Sequence, residues 1–375
     1  MNILLRSFIE DKAVVWFSNT NQYLVLEKKT SDIILQINNG ISLEEISKEL
    51  ESELQVPLND AIDFVKQINN EIYEPNTKNQ QDTSQITSAY NILDFSISKL
   101  YQINNLVFKV EFQSEFEEYL VHPKFSHLEI NTSNNVDHIF QVFTENNITS
   151  LLIDHKFIGS WPRKDIHYFQ GKFSMYIVQY MHNKPEDDWM GIFHASGLGN
   201  NKKSLLILGD SGNGKSTSLA ILQANGLTCL ADDFVPIDIE KKHVYTFPSA
   251  ISIKKNSLET LLPMYPELEN TAEFHLKRLN KIVRFLPPKT DGMNHNLPCN
   301  DLVFIKYQKD SGLKFSSISK IEAFQQLIPD SWISRKTENV EVFLNWFANT
   351  NCYQLTYSDN DKMVTTIKSI LNDDI

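Results

Sequence analysis

The chain has 375 residues and a formal net charge of −12, so it lacks the basic excess of a general nucleic-acid binder. Hydrophobic residues make up 41% and include 23 Phe, enough core for two or three domains, yet no run reaches the ~18 apolar residues of a membrane-spanning helix. Cys229, Cys299 and Cys352 are scattered with no C-x-x-C pair, and the first residues, broken by Arg6, Glu10, Asp11 and Lys12, hold no signal-peptide core; a reducing cytoplasm is expected, with neither a zinc site nor a disulfide framework.

Residues 1–73 read as a compact β-β-α-α-α domain. Strands at 13–17 and 23–26 flank a Ser-Asn-Thr-Asn turn. A helix at about 30–37 leads to Asn-Asn-Gly and then to Ser42, with Glu45 three residues later, the pattern of a reciprocal N-cap. Ile41, Ile46, Leu50 and Leu54 are expected along one side of the helix so begun. After Pro57, the residues Ala61, Ile62, Val65, Ile68 and Ile72 recur at helical spacing. The acidic run Glu44, Glu45, Glu49, Glu51 and Glu53 reads as a solvated face. Residues 74–90 are polar, with little to bury, and read as a linker. The remainder, 91–375, reads as a second domain in two parts, 91–185 and 186–375. Strand-like runs at 106–112, 139–143, 150–153 and 172–178 predict an antiparallel sheet packed on, or continuous with, the 186–375 part. No internal repeat is present.

From about Trp189 the order reads as a helix ending near His194, a strand at 205–208, a Gly-rich loop, and a helix at 216–224 with Gly226 beyond its end. A strand at 228–231 comes next, then a β-rich stretch to about Ile253. Beyond it come helices at 256–262, 321–328, 338–349 and 361–371 and strands at 301–307 and 352–356. Residues 205–217, Leu-Leu-Ile-Leu-Gly-Asp-Ser-Gly-Asn-Gly-Lys-Ser-Thr, match the P-loop, with Gly209, Gly214, Lys215 and Ser216 at the required spacing. Three of the 12 glycines in the chain lie here. Gly209, Asp210, Ser211, Gly212, Asn213, Gly214, Lys215, Ser216 and Thr217 form the expected cradle: backbone N–H groups and a helix N-terminus surround phosphates, and Lys215 adds a point charge. The ligand expected is ATP or another nucleoside triphosphate with Mg²⁺.

Asp232-Asp233 closes the strand after the P-loop helix, at the end where open α/β sheets place ligands. One carboxylate there can hold Mg²⁺ beside Ser216. Strand-end neighbours diverge, so the other can face an incoming hydroxyl as a general base, worth typically about 10²–10⁴-fold.

The run Gly-Asp-Ser-Gly-Asn-Gly-Lys-Ser, a helix, and then Asn-Gly-Leu-Thr-Cys-Leu-Ala-Asp-Asp resembles the kinase domain of HPr kinase/phosphorylase, within the phosphoenolpyruvate carboxykinase-like P-loop fold. His194, 15 residues before Gly209, matches a His of that family. The His-Ala-Ser form, Phe-Pro-Ser-Ala-Ile-Ser-Ile-Lys at 247–254, Tyr-Pro-Glu-Leu at 265–268 and Val-Arg-Phe-Leu-Pro-Pro at 283–288 resemble the HPr-kinase-related proteins of peptide-maturation gene clusters more than HPr kinases themselves. The resemblance implies Lys215 on the β/γ-phosphates, Ser216 and Asp232 on the metal, and Asp233 taking the proton of the acceptor hydroxyl, with the order of the two Asp roles left open. It implies His194 near the transferring phosphate or orienting an Asp, and makes Lys254 and Arg284 candidate phosphate or acceptor-site cations. Thr217 stands where HPr kinases carry Glu, and their downstream Glu-Val-Arg-Gly-type signature is not found, so the resemblance stops short of HPr as acceptor and of reverse phosphorolysis. Asn183-Lys184-Pro185-Glu186 precedes the P-loop and lacks the Asp of a GTPase base-reading motif, which rejects a GTPase switch.

Tyr23-Leu-Val-Leu, Ser31-Asp-Ile-Ile-Leu-Gln-Ile, Ser42-Leu-Glu-Glu-Ile and the Ile-rich helix resemble PqqD-like domains, small winged units that bind leader peptides; an exposed edge strand beside a helix can take up an extended peptide. The two resemblances together imply an ATP/Mg²⁺-dependent kinase acting on a Ser/Thr hydroxyl of a peptide or small protein, tethered through residues 1–73. A small-molecule phosphotransferase of the carboxykinase-like fold and a non-enzymatic, nucleotide-gated peptide-binding module are the alternatives. No nucleic-acid or membrane partner is expected, and a homo-oligomer is left open.

Overall fold

The computed structural model describes residues 3–78, 94–276, 281–289 and 295–375. It is a mixed α/β structure in two compact units, one from residues 1–81 with 318–350, the other from 82–317 with 351–375. Among the described residues no helix is long and apolar enough to cross a membrane.

The first unit is built on an antiparallel three-stranded sheet, Leu4–Ile9, Lys12–Phe17 and Gln22–Glu27, in sequence order. Its middle strand is buried on both faces, Ala13 to Phe17 without a break. One face is covered by the helices Lys28–Asn38, Leu43–Leu54 and Leu58–Gln67, with Val15, Phe17, Ile33, Ile46, Leu50 and Val65 in a common core. Ser42 and Glu45 close the reciprocal N-cap, each side chain accepting from the other's backbone N–H at 3.2 Å. Of the four residues assigned to one side of that helix, Ile46 and Leu50 are buried whereas Ile41 and Leu54 are exposed, because they lie at its two ends. The first strand is an addition to the sequence reading: Leu-Leu-Arg-Ser-Phe-Ile lacks strict alternation, as an edge strand carrying Arg6 can. Residues 318–350 pack in this unit too. Tyr23 meets the rings of Phe324 and Phe343 at 6.0 and 5.7 Å, from the helices Lys320–Leu327 and Thr337–Asn349, and Glu10 accepts from the Ser319 hydroxyl at 2.9 Å. Of the segment read as a linker, Glu74–Thr77 is a helical turn, and 79–90 lies outside the described residues.

The second unit opens with a six-stranded sheet backed by the helices Glu115–Phe125 and Ile166–His182. The strands expected at 106–112, 139–143 and 150–153 are present, but Leu106–Phe112 pairs in parallel with His138–Glu145, so the sheet is not wholly antiparallel. Residues 172–178 belong instead to the Ile166–His182 helix: alternation in Lys-Phe-Ser-Met-Tyr-Ile-Val is overruled by the 17-residue helical context. Likewise 189–193, read as the end of a helix, is the strand Trp189–Phe193, buried at every position, and an apolar run without period does not distinguish the two.

The larger sheet places the site. Its strands run Thr228–Asp232, Ser196–Gly199, Ser204–Leu208 and Asn296–Tyr307. Thr228–Asp232 is antiparallel to Ser196–Gly199, which is antiparallel to Ser204–Leu208, so the first and third point the same way and end at the same edge. The 12-residue strand Asn296–Tyr307 divides its pairing. Residues 296–298 are antiparallel to His243–Tyr245, which continues the sheet to Val235–Asp238 and Trp189–Phe193. Its second half is parallel to Ser204–Leu208 on one side and to Asn351–Tyr357 on the other. The helix Lys215–Ala224 packs with the helix Asn360–Leu371 against this half, burying Leu219, Leu222, Met363 and Ile367 beside Leu205, Ile207 and Val303.

Candidate active site

The strand Ser204–Leu208 delivers the chain at the sheet edge into a loop held by glycine geometry. Gly209 sits at φ +137°, where a Cβ would come 2.6 Å from the Ile305 carbonyl oxygen; Gly212 and Gly214 follow at φ +107° and +97°. The first helical hydrogen bond runs from Ser218 N–H to the Gly214 carbonyl at 2.8 Å, and Asn213 accepts from Tyr307 N–H at 2.9 Å, which ties the loop to the neighbouring strand. The N–H groups of Lys215, Ser216 and Thr217 precede that bond and have no partner within the helix, which makes them candidates for phosphate oxygens. Lys215 is buried, its ammonium donating to the Gly209 carbonyl at 2.5 Å. The Thr217 and Ser257 hydroxyls are hydrogen-bonded at 2.8 Å, anchoring the helix start to the turn Lys255–Ser257.

Across the edge stands the acid pair. Asp232 ends its strand in register with Ser196, whose hydroxyl donates to Asp232 Oδ1 at 2.6 Å. Oδ2 is buried with no hydrogen-bond partner. The Ser216 hydroxyl is near enough to favour the ionised carboxylate. Burial, and then the charge of Asp233, push the Asp232 pKa well above the usual carboxylate range; the Ser196 and Ser216 hydroxyls and Lys124 offset this only in part. An oxygen-only set of Asp232 and Ser216, with one carboxylate oxygen unsatisfied, fits a hard divalent cation.

Asp233 takes the left-handed conformation, φ +63°, with its N–H donating to the Ala195 carbonyl at 2.9 Å. Asp tolerates that region better than most residues, and the turn swings its carboxylate away from that of Asp232. The side chain is 31% exposed, 3.7 Å from Lys124 Nζ and 4.0 Å from His194 Nδ1. Burial acts to raise its pKa, but Lys124, His194 and Lys215 outweigh it and hold the carboxyl below its ordinary value. The two neighbouring carboxyls are therefore driven apart, one toward the proton and one toward the charge.

His194, Asp233, Asp232, Ser216 and Lys215 thus gather at one sheet edge with the loop. Lys254 and Arg284 lie on a separate three-stranded sheet, Ile251–Lys254, Lys281–Leu286 and Phe274–Leu276. Arg284 is engaged there: its guanidinium donates to the Leu268 and Glu269 carbonyls and to Glu273, which also pairs with Lys255. Two residues escape the sequence reading. Ser196 could have been found from strand periodicity, two positions after His194 in a run entering a strand. Lys124, near the end of the helix Glu115–Phe125, carries no local signal, since only the tertiary fold brings it to Asp233.

No protein-family model and no curated protein matches the chain. Among solved structures, the Hpr(Ser) kinase/phosphatase from Coxiella burnetii is similar at 12% identity and a TM-score of 0.22, over 48% of this chain and 88% of that one. A likeness of that size leaves the functional reading to the site itself.

Proposed function

We propose that the chain is an ATP- and Mg²⁺-dependent kinase of the HPr-kinase-like class that phosphorylates a Ser/Thr hydroxyl on a peptide or small protein in peptide maturation. The observation that carries this reading is the pair Asp232–Asp233 beside a P-loop: one carboxylate buried with a free oxygen near Ser216, its neighbour open and flanked by two basic side chains. A nucleotide-binding module without chemistry needs the first carboxylate but not the second.

In this reading the loop amides bind the β- and γ-phosphates, and Lys215 exchanges the Gly209 carbonyl for their oxygens. Mg²⁺, when bound, neutralises phosphate charge, and Asp232, held by Ser196, and Ser216 are its protein ligands. Asp233 accepts a hydrogen bond from the acceptor hydroxyl and orients its oxygen in line with the γ-phosphorus. The hydroxyl oxygen bonds to phosphorus as the bond to the ADP oxygen breaks, and the hydroxyl proton passes to Asp233. A base with a lowered pKa suits this order of events: the transition state is loose, the nucleophile needs orientation more than deprotonation, and the proton moves late. Lys124 and His194 keep Asp233 ionised until then. The acceptor, in the same proposal, is held by the first unit, whose Leu4–Ile9 and Gln22–Glu27 strands are the two edges of the small sheet and suit strand addition by a PqqD-like domain.

The full chain, incubated with γ-labelled ATP and a panel of Ser/Thr-containing peptides, is expected to label a Ser or Thr. Asp233→Asn is expected to lower transfer at least about 10²-fold while nucleotide binding persists, and Lys215→Ala to lose both. Labelling of metabolites but of no peptide would replace this reading with the small-molecule phosphotransferase; normal transfer by Asp233→Asn would remove the assigned base.

A further inference from the structure

The P-loop strand has unlike neighbours on its two sides. On one, Ser196–Gly199 and Thr228–Asp232 bring up the acid pair. On the other, Asn296–Tyr307 and Asn351–Tyr357 run parallel to the P-loop strand, so their C-terminal ends surface at the loop's edge of the sheet. A triphosphate whose γ-phosphate points to Asp232 and Asp233 directs its α-phosphate, ribose and base toward these strand ends. Tyr307 stands there, 49% exposed, the last residue of its strand.

Tyr307 is held as a fixed surface. Its N–H donates to the Asn213 carbonyl of the loop at 2.9 Å. Its ring meets Tyr357 edge-on, at 5.5 Å and 75°, and the buried Tyr357 is hydrogen-bonded through its hydroxyl to Ser218 Oγ of the P-loop helix at 2.7 Å. Gly214 lies against both tyrosines: a Cβ there would sit in ordinary contact, 3.4 Å from Tyr307 Cβ and 3.6 Å from the Tyr357 hydroxyl. A large exposed ring next to a phosphate loop, with its backbone fixed to that loop, has the form of a stacking platform.

We infer that Tyr307 is the residue on which the nucleobase stacks, and that the site takes purine nucleoside triphosphates with little discrimination between adenine and guanine. The inference rests on the nucleotide reading above. Stacking reads ring area and not the hydrogen-bonding edge, so purines gain over pyrimidines while ATP and GTP gain alike.

The test is calorimetric binding of ATP, GTP, CTP and inorganic tripolyphosphate, each with Mg²⁺, to the full chain and to Tyr307→Ala and Tyr307→Trp. Tyr307→Ala is expected to weaken ATP and GTP by about 5- to 150-fold and to leave tripolyphosphate binding as in the wild type. Tyr307→Trp is expected to keep or tighten nucleotide binding, and CTP to bind the wild type more weakly than either purine. Unchanged ATP affinity in Tyr307→Ala would place the base elsewhere. An equal loss of ATP and tripolyphosphate would show that Tyr307 acts through the loop, and a wide gap between ATP and GTP in the wild type would mean edge readout; each overturns the inference. A wild-type chain that binds neither ATP nor tripolyphosphate would instead remove the nucleotide reading and this one with it.

Discussion

Replacing Asp232 by Asn should make the metal-free protein more stable while destroying its activity. Asp232 buries a carboxylate at the strand end with one oxygen bonded to Ser196 and the other unpartnered, beside a second carboxylate. Leaving a buried polar atom unsatisfied costs about 1–3 kcal/mol. Asn keeps the acceptor for Ser196 and removes the charge, which burial and the neighbouring Asp233 disfavour. For a unit of this size the gain corresponds to a melting temperature about 2–12 °C higher. The pH dependence fixes the cause. Because the folded-state pKa of Asp232 is raised, the native state binds more protons than the unfolded chain. The penalty is therefore absent below the unfolded carboxylate value of about 3.9, grows as pH rises, and is complete above the raised pKa. Melting curves in EDTA should show the gap between Asp232→Asn and wild type opening from acid to neutral pH and then holding constant. Added Mg²⁺ with nucleotide should close it by stabilising the wild type alone. An Asn variant that melts below the wild type at about pH 8, or a gap independent of pH, would mean that the buried Asp232 charge does not destabilise the fold.

Other parts of the site give further expected outcomes. Gly209→Ala and Gly212→Ala both force an L-residue to positive φ, at about 1–3 kcal/mol, but only the first drives a Cβ against Ile305; tripolyphosphate binding should be lost in Gly209→Ala and largely kept in Gly212→Ala. Lys124→Met should lower kcat about tenfold or more, with the nucleotide Kd unchanged and Lys124→Arg restoring part of it, because the ammonium acts at Asp233 and not at the loop; a rise in Kd with unchanged kcat would refute this. Burial lowers the pKa of His182, and that of His127, to about 4. Each then favours the unfolded chain as pH falls from about 6.5, by about 1–3 kcal/mol by pH 4. Thermal melts of His182→Gln should show a shallower acid decline than the wild type.

Local chemistry was legible in the sequence. Gly209, Gly212 and Gly214 announce positive φ at fixed spacing before Lys215, and Asp232-Asp233 falls at a strand end whose position is set by the helix before it. Sequence and structure part where a pattern is non-local or lacks a period. Trp189–Phe193 is buried on both faces and shows no alternation, whereas 172–178 alternates inside a helix. Lys124 reaches Asp233 only through tertiary packing, and Arg284, attractive as a cation in an apolar run, is consumed by carbonyls and Glu273. The return of 318–350 to the first unit could not be seen either, since Phe324 and Phe343 on amphipathic helices suit any core.

That return sets the order in which the molecule can mature on the ribosome. The small sheet of residues 4–27 emerges before the larger unit, yet Tyr23 finds Phe324 and Phe343 only after the strands and helices of that unit have been synthesised. The unit that contains residues 4–27 is thus completed only by residues some three hundred positions later. For protein engineering the same fact means that residues 1–73 are not a detachable cassette. A graft or truncation intended to carry this unit has to bring 318–350 with it, as a second segment or through a circular permutation.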